Sequence, residues 1–193
     1  MENNSKRFGV KEITITAILL ALCIISQVFK SLSVFITGPI INLCLCLCVV
    51  LVNLPCAIVL SIITPVTAYF IAASPVMMAV PGILPLIMLG NVVLVVAVHF
   101  LLKKDVLENN KGLYSPMCYL KAVICALLKG IFMGVTISLW LLPTFIPADT
   151  PLRGKLPVFQ STFSVVQFAT ACIGFVYFFI VYTAIRHYTN KNS

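Results

Sequence analysis

Cys44, Cys46 and Cys48 alternate within an apolar run, GPIINLCLCLCVVLVNLP (residues 38–55), that carries an asparagine near each end. Thiolates can hold zinc or cycle with a disulfide, so the spacing has to be tested against both. A structural zinc site needs four converging ligands. On a helix, Cys44 and Cys48 share a face while Cys46 points to the other side, and no histidine or carboxylate stands nearby in the sequence. Cys23, Cys56, Cys118, Cys125 and Cys172 are scattered through other apolar segments. Cysteine is expected here as a small hydrophobe, with no metal site and no disulfide framework.

The ionisable residues narrow the chemistry further. Glu2, Glu12, Asp105, Glu108 and Asp149 all lie near the end of an apolar run or in a connection. Proton-coupled pumps use acids within the membrane, and intramembrane metalloproteases need His and Glu ligands together. His99 and His187 stand in separate segments, and no Walker-type phosphate loop is present. Neither catalysis, a cofactor, nor autonomous ATP-driven transport is expected. Binding, passive conduction or a structural role remain.

Polar residues inside apolar runs are the next candidates, because in lipid a polar side chain wants a partner. Gln160, Ser164, Gln167, Ala171 and Gly174 recur at spacings of four and three, which on one continuous helix makes a single stripe. It reads either as a hydrogen-bonded helix contact or as a pocket wall. Lys129, Met133, Thr136 and Trp140 form a second stripe. Trp140 lies near a span end, where interfacial tryptophan is ordinary. Lys129 lies about twelve residues from either end of its run, roughly 18 Å of helix from each surface. It binds helix carbonyls, stands neutral, or meets an anionic group on a ligand; the last is favoured. Ala126, Gly130, Gly134 and Ser138 place a small residue at every fourth position, which permits close helix packing. Asn91, the group Gln27, Lys30 and Ser31, and the group Gly38, Pro39 and Asn42 add a polar ring toward one end of the spans, with Met77 and Met78 in a Pro- and Gly-containing connection.

The elements that position these residues follow from composition. Of 193 residues, 61% are hydrophobic and only 9% charged, with a mean hydropathy of +1.13. Soluble domains carry about 25% charged residues. Apolar runs of about 20 residues, enough to cross roughly 30 Å of hydrocarbon, recur at about 12–29, 34–52, 55–73, 83–102, 117–142 and 159–185. The expected fold is an all-α integral membrane bundle of six helices in one domain spanning 1–193. Asn53-Leu54-Pro55 makes a tight hairpin between the second and third spans. The first span is too long for a signal-peptide core and lacks a cleavage pattern.

Orientation follows from the basic residues. With the N-terminus inside, Lys6, Arg7, Lys11, Lys103, Lys104, Lys111, Lys121, Arg186 and Lys191 are cytoplasmic, against Lys30, Arg153 and Lys155 outside. Both termini are therefore expected in the cytoplasm, and the net charge of +8 serves topology and anionic lipid head groups. No basic stripe with interleaved aromatics points to nucleic acid.

Taken together, KEITITAILLALCIISQVFK with its AxxxA, GPIINLCLCLCVVLVNLPCAIVLSIITPVTAYF, IMLGN opening the fourth span and LPVFQSTFSVVQ opening the sixth resemble the substrate-binding S components of energy-coupling factor (ECF) transporters. The resemblance implies a subunit in a bacterial cell membrane that captures a vitamin or similar micronutrient from outside. It implies docking on a separate transmembrane coupling subunit driven by two cytoplasmic ATPases. By position, it implies ligand contacts at Asn91, Trp140, Gln160, Ser164 and Gln167, and a coupling-subunit contact at Ala17 and Ala21. No motif diagnostic of a particular vitamin is present. The alternative is a small membrane scaffold or channel-like subunit whose polar stripes only pack.

Overall fold

The computed structural model describes residues 9–29, 33–108 and 115–191. Among these residues all regular structure is helical, and six helices are long and apolar enough to cross a membrane: Val10–Val28, Val34–Leu51, Leu54–Ala72, Ile83–Leu107, Pro116–Phe145 and Arg153–Thr189. These ranges match the six apolar runs to within a few residues, apart from a longer fourth span and an earlier start to the sixth. In chain order the helices are α1 (Val10–Val28), α2 (Val34–Leu51), α3 (Leu54–Ala72), α4 (Pro75–Ala79), α5 (Ile83–Ala97), α6 (Lys103–Glu108), α7 (Pro116–Met133), α8 (Leu142–Phe145), α9 (Leu156–Thr162) and α10 (Val165–Lys191). Lys6, Arg7, Lys30, Ser31 and Lys111, which entered the charge and polar-ring readings, lie outside the described residues.

Local chemistry sets the boundaries. Asn53 caps α3, its Oδ1 accepting from the Cys56 amide at 2.9 Å. Pro55 sits in the first turn, where its missing N–H leaves no intrahelical bond unmade. That pair lets α2 turn directly into α3 as the expected hairpin. Ser33 caps α2 and Ser115 caps α7 in the same way, through the amides of Phe35 and Met117.

Five spans close a ring. α2 packs on α3, α3 on α5, α5 on α7, α7 on α10 and α10 back on α2, while α1 sits outside against α2 and α3. This placement explains why Cys44, Cys46 and Cys48 are all buried, although they point to opposite sides of α2: the helix has neighbours all round. α1 is the opposite case. Ile18, Leu22 and Ile25 are exposed along it, as are Ala17 and Ala21. All eight cysteines are free, and among the described residues no group of His, Cys, Asp or Glu is arranged to hold a metal.

Two apolar clusters fill the bundle. The larger runs through α1, α2, α3, the C-terminal half of α5, α7 and α10, with Leu45, Leu60, Leu94 and Phe178 at its centre. The smaller joins α4, the start of α5, the end of the fifth span and Phe163, around Met77, Ile83, Ile137 and Leu142. Arg153 closes the connection over this end, donating from Nη1 to the carbonyls of Pro143 (2.8 Å) and Ile146 (3.1 Å).

Two irregularities alter the helix faces. The fifth span passes from α7 into a π-helical stretch at Gly134–Leu141. The i→i+5 bonding of a π-helix widens the turn, so residues four or five apart share a face there. The buried line therefore continues from Met133 to Ile137, Ser138 and Leu141, and not to Trp140. In the sixth span, α9 ends at Thr162 and α10 begins at Val165, with Phe163 and Ser164 in a turn. The stripe from Gln160 to Gly174 is thus split over two helices.

Candidate functional site

A polar layer lies where the larger and smaller clusters meet. Lys129, on α7, is 3% exposed. Its Nζ donates to Asn42 Oδ1 on α2 at 2.7 Å and to Asn91 Oδ1 on α5 at 2.8 Å. A protonated lysine has three donors, and no described carboxylate pairs with this one; Asp105 pairs instead with Lys121, at 2.5 Å. Buried charges are ordinarily paired as well as hydrogen-bonded. Nζ gives its hydrogen bonds to two neutral amides, and neither supplies an opposite charge.

Each amide is itself held. Asn91 Nδ2 lies 3.5 Å from the Ser61 carbonyl, a long contact whose origin is in the sequence. Residue 65 is proline, so the N–H that would bond the carbonyl four residues back is missing. Asn42 is placed by the crossing of α2 and α10: a Cβ on Gly174 would come within 2.7 Å of Asn42 Cβ and 3.0 Å of the Pro39 carbonyl. Glycine at 174 permits that approach.

Lys129, Asn42 and Asn91 line one cavity of about 190 Å³. Gln27, at the end of α1, reaches it fully buried. Its Nε2 donates to the Thr64 carbonyl at 3.0 Å, while its Oε1 has no hydrogen-bond partner among the described residues. Gln167 completes the polar side from α10, with Nε2 3.4 Å from the Thr162 carbonyl. The remaining wall is largely apolar: Ile41, Pro65 and Ala68, with Met77, Ile87 and Phe163 toward the smaller cluster. Few polar groups converging in an apolar concavity is the usual make-up of a small-molecule site.

Of the residues singled out from the sequence, Asn91, Lys129 and Gln167 line this cavity. Gln160 and Ser164 do not. They line a separate groove with Gly130, Gly134 and Ser138, between the fifth and sixth spans. There Gln160 Nε2 donates to the Ser138 carbonyl at 2.9 Å, Ser138 Oγ donates to the Gln160 carbonyl at 2.8 Å, and Ser164 Oγ donates to the same carbonyl at 2.6 Å. The small-residue face packs here: a Cβ on Gly130 would lie 2.9 Å from Phe168 Cβ. Trp140 is 57% exposed and meets Phe145 edge-on at 6.3 Å, since the π-helical turn rotates it away from the Lys129 face. Met77 is buried in the cavity wall, whereas Met78 is exposed.

Gln27 and Asn42 figured in the sequence only as members of a general polar ring, yet they hold the centre. Thr37 and Thr64 also line the cavity and carried no signal. Their hydroxyls bond local or neighbouring carbonyls, Thr37 to Ser26 at 3.1 Å and Thr64 to Leu60 at 2.9 Å, as threonines within apolar helices commonly do.

Comparison of the chain with family models, with curated proteins and with solved structures gives no match in any of the three.

Proposed function

We propose that this protein is the substrate-capture subunit of an ECF-type importer in a bacterial cell membrane. It binds a vitamin-like micronutrient from the outer side and delivers it through a separate coupling subunit and two ATPases. The observation that carries the reading is the cavity itself: a buried lysine without a described counter-charge, four carboxamides and a largely apolar wall, contributed by all five helices of the ring and by α1. A structural bundle has no need for an uncompensated cation at its centre, because replacing buried polar groups by well-packed apolar ones is often neutral or stabilising. The excess of basic residues on one side supports both termini in the cytoplasm, which places the connections between spans three and four and between spans five and six outside. The cavity lies toward those connections. The sequence resemblance supports the transporter class, and the exposed Ala17–Ala21 face of α1 suits close approach of a partner helix. In this reading the chain performs no chemistry of its own and borrows its energy from the ATPases.

Native mass spectrometry of the gently purified protein tests the capture step. A small molecule that accompanies the chain is expected, and that molecule at about 100 times its Kd should stabilise the fold by roughly 2.7 kcal/mol. A scaffold or channel-like subunit carries no such molecule and gains nothing. The docking step is tested separately by Ala17→Trp and Ala21→Trp. Both variants should keep ligand affinity and lose co-purification with the coupling subunit; normal assembly and uptake in both would remove that face from the interface.

A further inference from the structure

We infer that the molecule held in the Lys129 cavity is a small, largely apolar anion that also carries an N–H or O–H donor, with its negative group on Lys129 and its donor on Gln27. The inference rests on the capture reading above and adds the chemistry of the substrate.

The argument starts from unmet bonding capacity. As an ammonium Lys129 has three donors; two go to the Oδ1 atoms of Asn42 and Asn91, and no described protein group accepts a third or supplies the opposite charge. In a low-dielectric layer an opposite charge at contact distance interacts far more strongly than in water. A carboxylate or phosphate oxygen serves as both missing acceptor and counter-charge, whereas a cation is repelled. Gln27 sets a second requirement of opposite sense. Its amide orientation is fixed, because turning it over would set Oε1 against the Thr64 carbonyl that Nε2 now donates to at 3.0 Å. Oε1 therefore stays an acceptor, fully buried and without a donor among the described residues. Such an atom costs about 1–3 kcal/mol when unpaired, and an N–H or O–H relieves it. The wall between these points is largely apolar, and about 190 Å³ is small against the roughly 300–1,000 Å³ of common ligand pockets. The substrate is therefore compact.

The test uses the full chain in lipid nanodiscs and small ring carboxylates bearing one N–H or O–H, with indole-3-acetate as the lead. Each is paired with its methyl ester, which removes the charge, and with its N- or O-methyl derivative, which removes the donor. Thermal stabilisation and calorimetric affinity are measured, and the molecule that accompanies the purified chain is weighed and its charge at neutral pH assigned. An anionic accompanying molecule is expected. Among the probes, the ester should bind at least about tenfold more weakly than its acid, and the methylated derivative about fivefold or more. Lys129→Met should abolish the preference for acid over ester, and Gln27→Leu the preference for the free donor. The acid–ester comparison is made on the unaltered chain, so a variant that fails to fold does not decide the outcome. A neutral or cationic accompanying molecule, or an ester that binds as tightly as its acid, overturns the anion while leaving capture intact. An anion bound equally well with its donor methylated overturns the Gln27 contact. No accompanying molecule together with no stabilisation by any probe overturns capture, and this inference with it.

Discussion

The two polar clusters on the fifth span behave differently although they lie within ten residues of one another along the chain. Around Ser138, the groups satisfy each other: Gln160 and Ser138 exchange side chain-to-backbone bonds, and Ser164 adds a third. Around Lys129, two amides accept from Nζ, and among the described residues no carboxylate meets the lysine and no donor meets Gln27 Oε1. A closed set of hydrogen bonds is what a helix contact requires, since in lipid each unmet group is costly. An open set is what a ligand requires. The sequence presents both clusters as stripes of similar polarity, so polarity does not distinguish packing from binding. Residual bonding capacity does.

This contrast predicts a graded series of effects. The largest belongs to Lys129→Met, which should weaken binding of the accompanying small molecule about 30-fold or more, as removal of one member of a buried charged pair costs 2 kcal/mol upward. The variant should remain folded, because methionine suits a membrane interior better than a charge. Retained binding in folded Lys129→Met protein, measured by calorimetry, would place Lys129 with the structural cluster.

Next come Asn42→Leu and Asn91→Leu. Each keeps the ammonium buried and removes one of its two acceptors, so each should lower unfolding stability by about 1.5–3 kcal/mol. Adding Lys129→Met to either should recover much of that loss, because the charge that needed the acceptor is gone. Strict additivity in this double-mutant cycle would contradict the geometry.

Gly174→Val acts one step further away. Its side chain would drive against Asn42 Cβ and the Pro39 carbonyl, at a cost of about 1–3 kcal/mol for overpacking, and binding should weaken with it as Asn42 moves. Equal ligand affinity in this variant would show that α2 can yield without disturbing the site.

The smallest effect belongs to Gln160→Leu. Hydrogen bonds between membrane helices contribute about 0.6 kcal/mol on average and up to roughly 1.7, and stability should fall by that order with ligand affinity unchanged. A loss of affinity would move Gln160 into the binding site and erase the distinction between the clusters.

Much of this protein is legible in the sequence because hydrophobicity and capping are local properties. Runs of apolar residues long enough to span hydrocarbon define the six spans, and Asn53 with Pro55 defines the hairpin through atoms two to four residues apart. The depth of Lys129 follows from counting along its own helix. The composition of its surroundings does not. Asn91 and Asn42 are separated from it by 38 and 87 residues, and they meet it only because five helices close into a ring. The facing of the stripes was also decided at this level. A period of 3.6 assumes one uninterrupted α-helix, yet Gly134–Leu141 winds more widely and the sixth span breaks at Phe163 and Ser164. Those changes turn Trp140 outward and send Gln160 and Ser164 to a helix contact, leaving Gln167 with Lys129. Backbone winding sets where a side chain points, and packing between distant segments sets what it finds there; only the tertiary structure holds both.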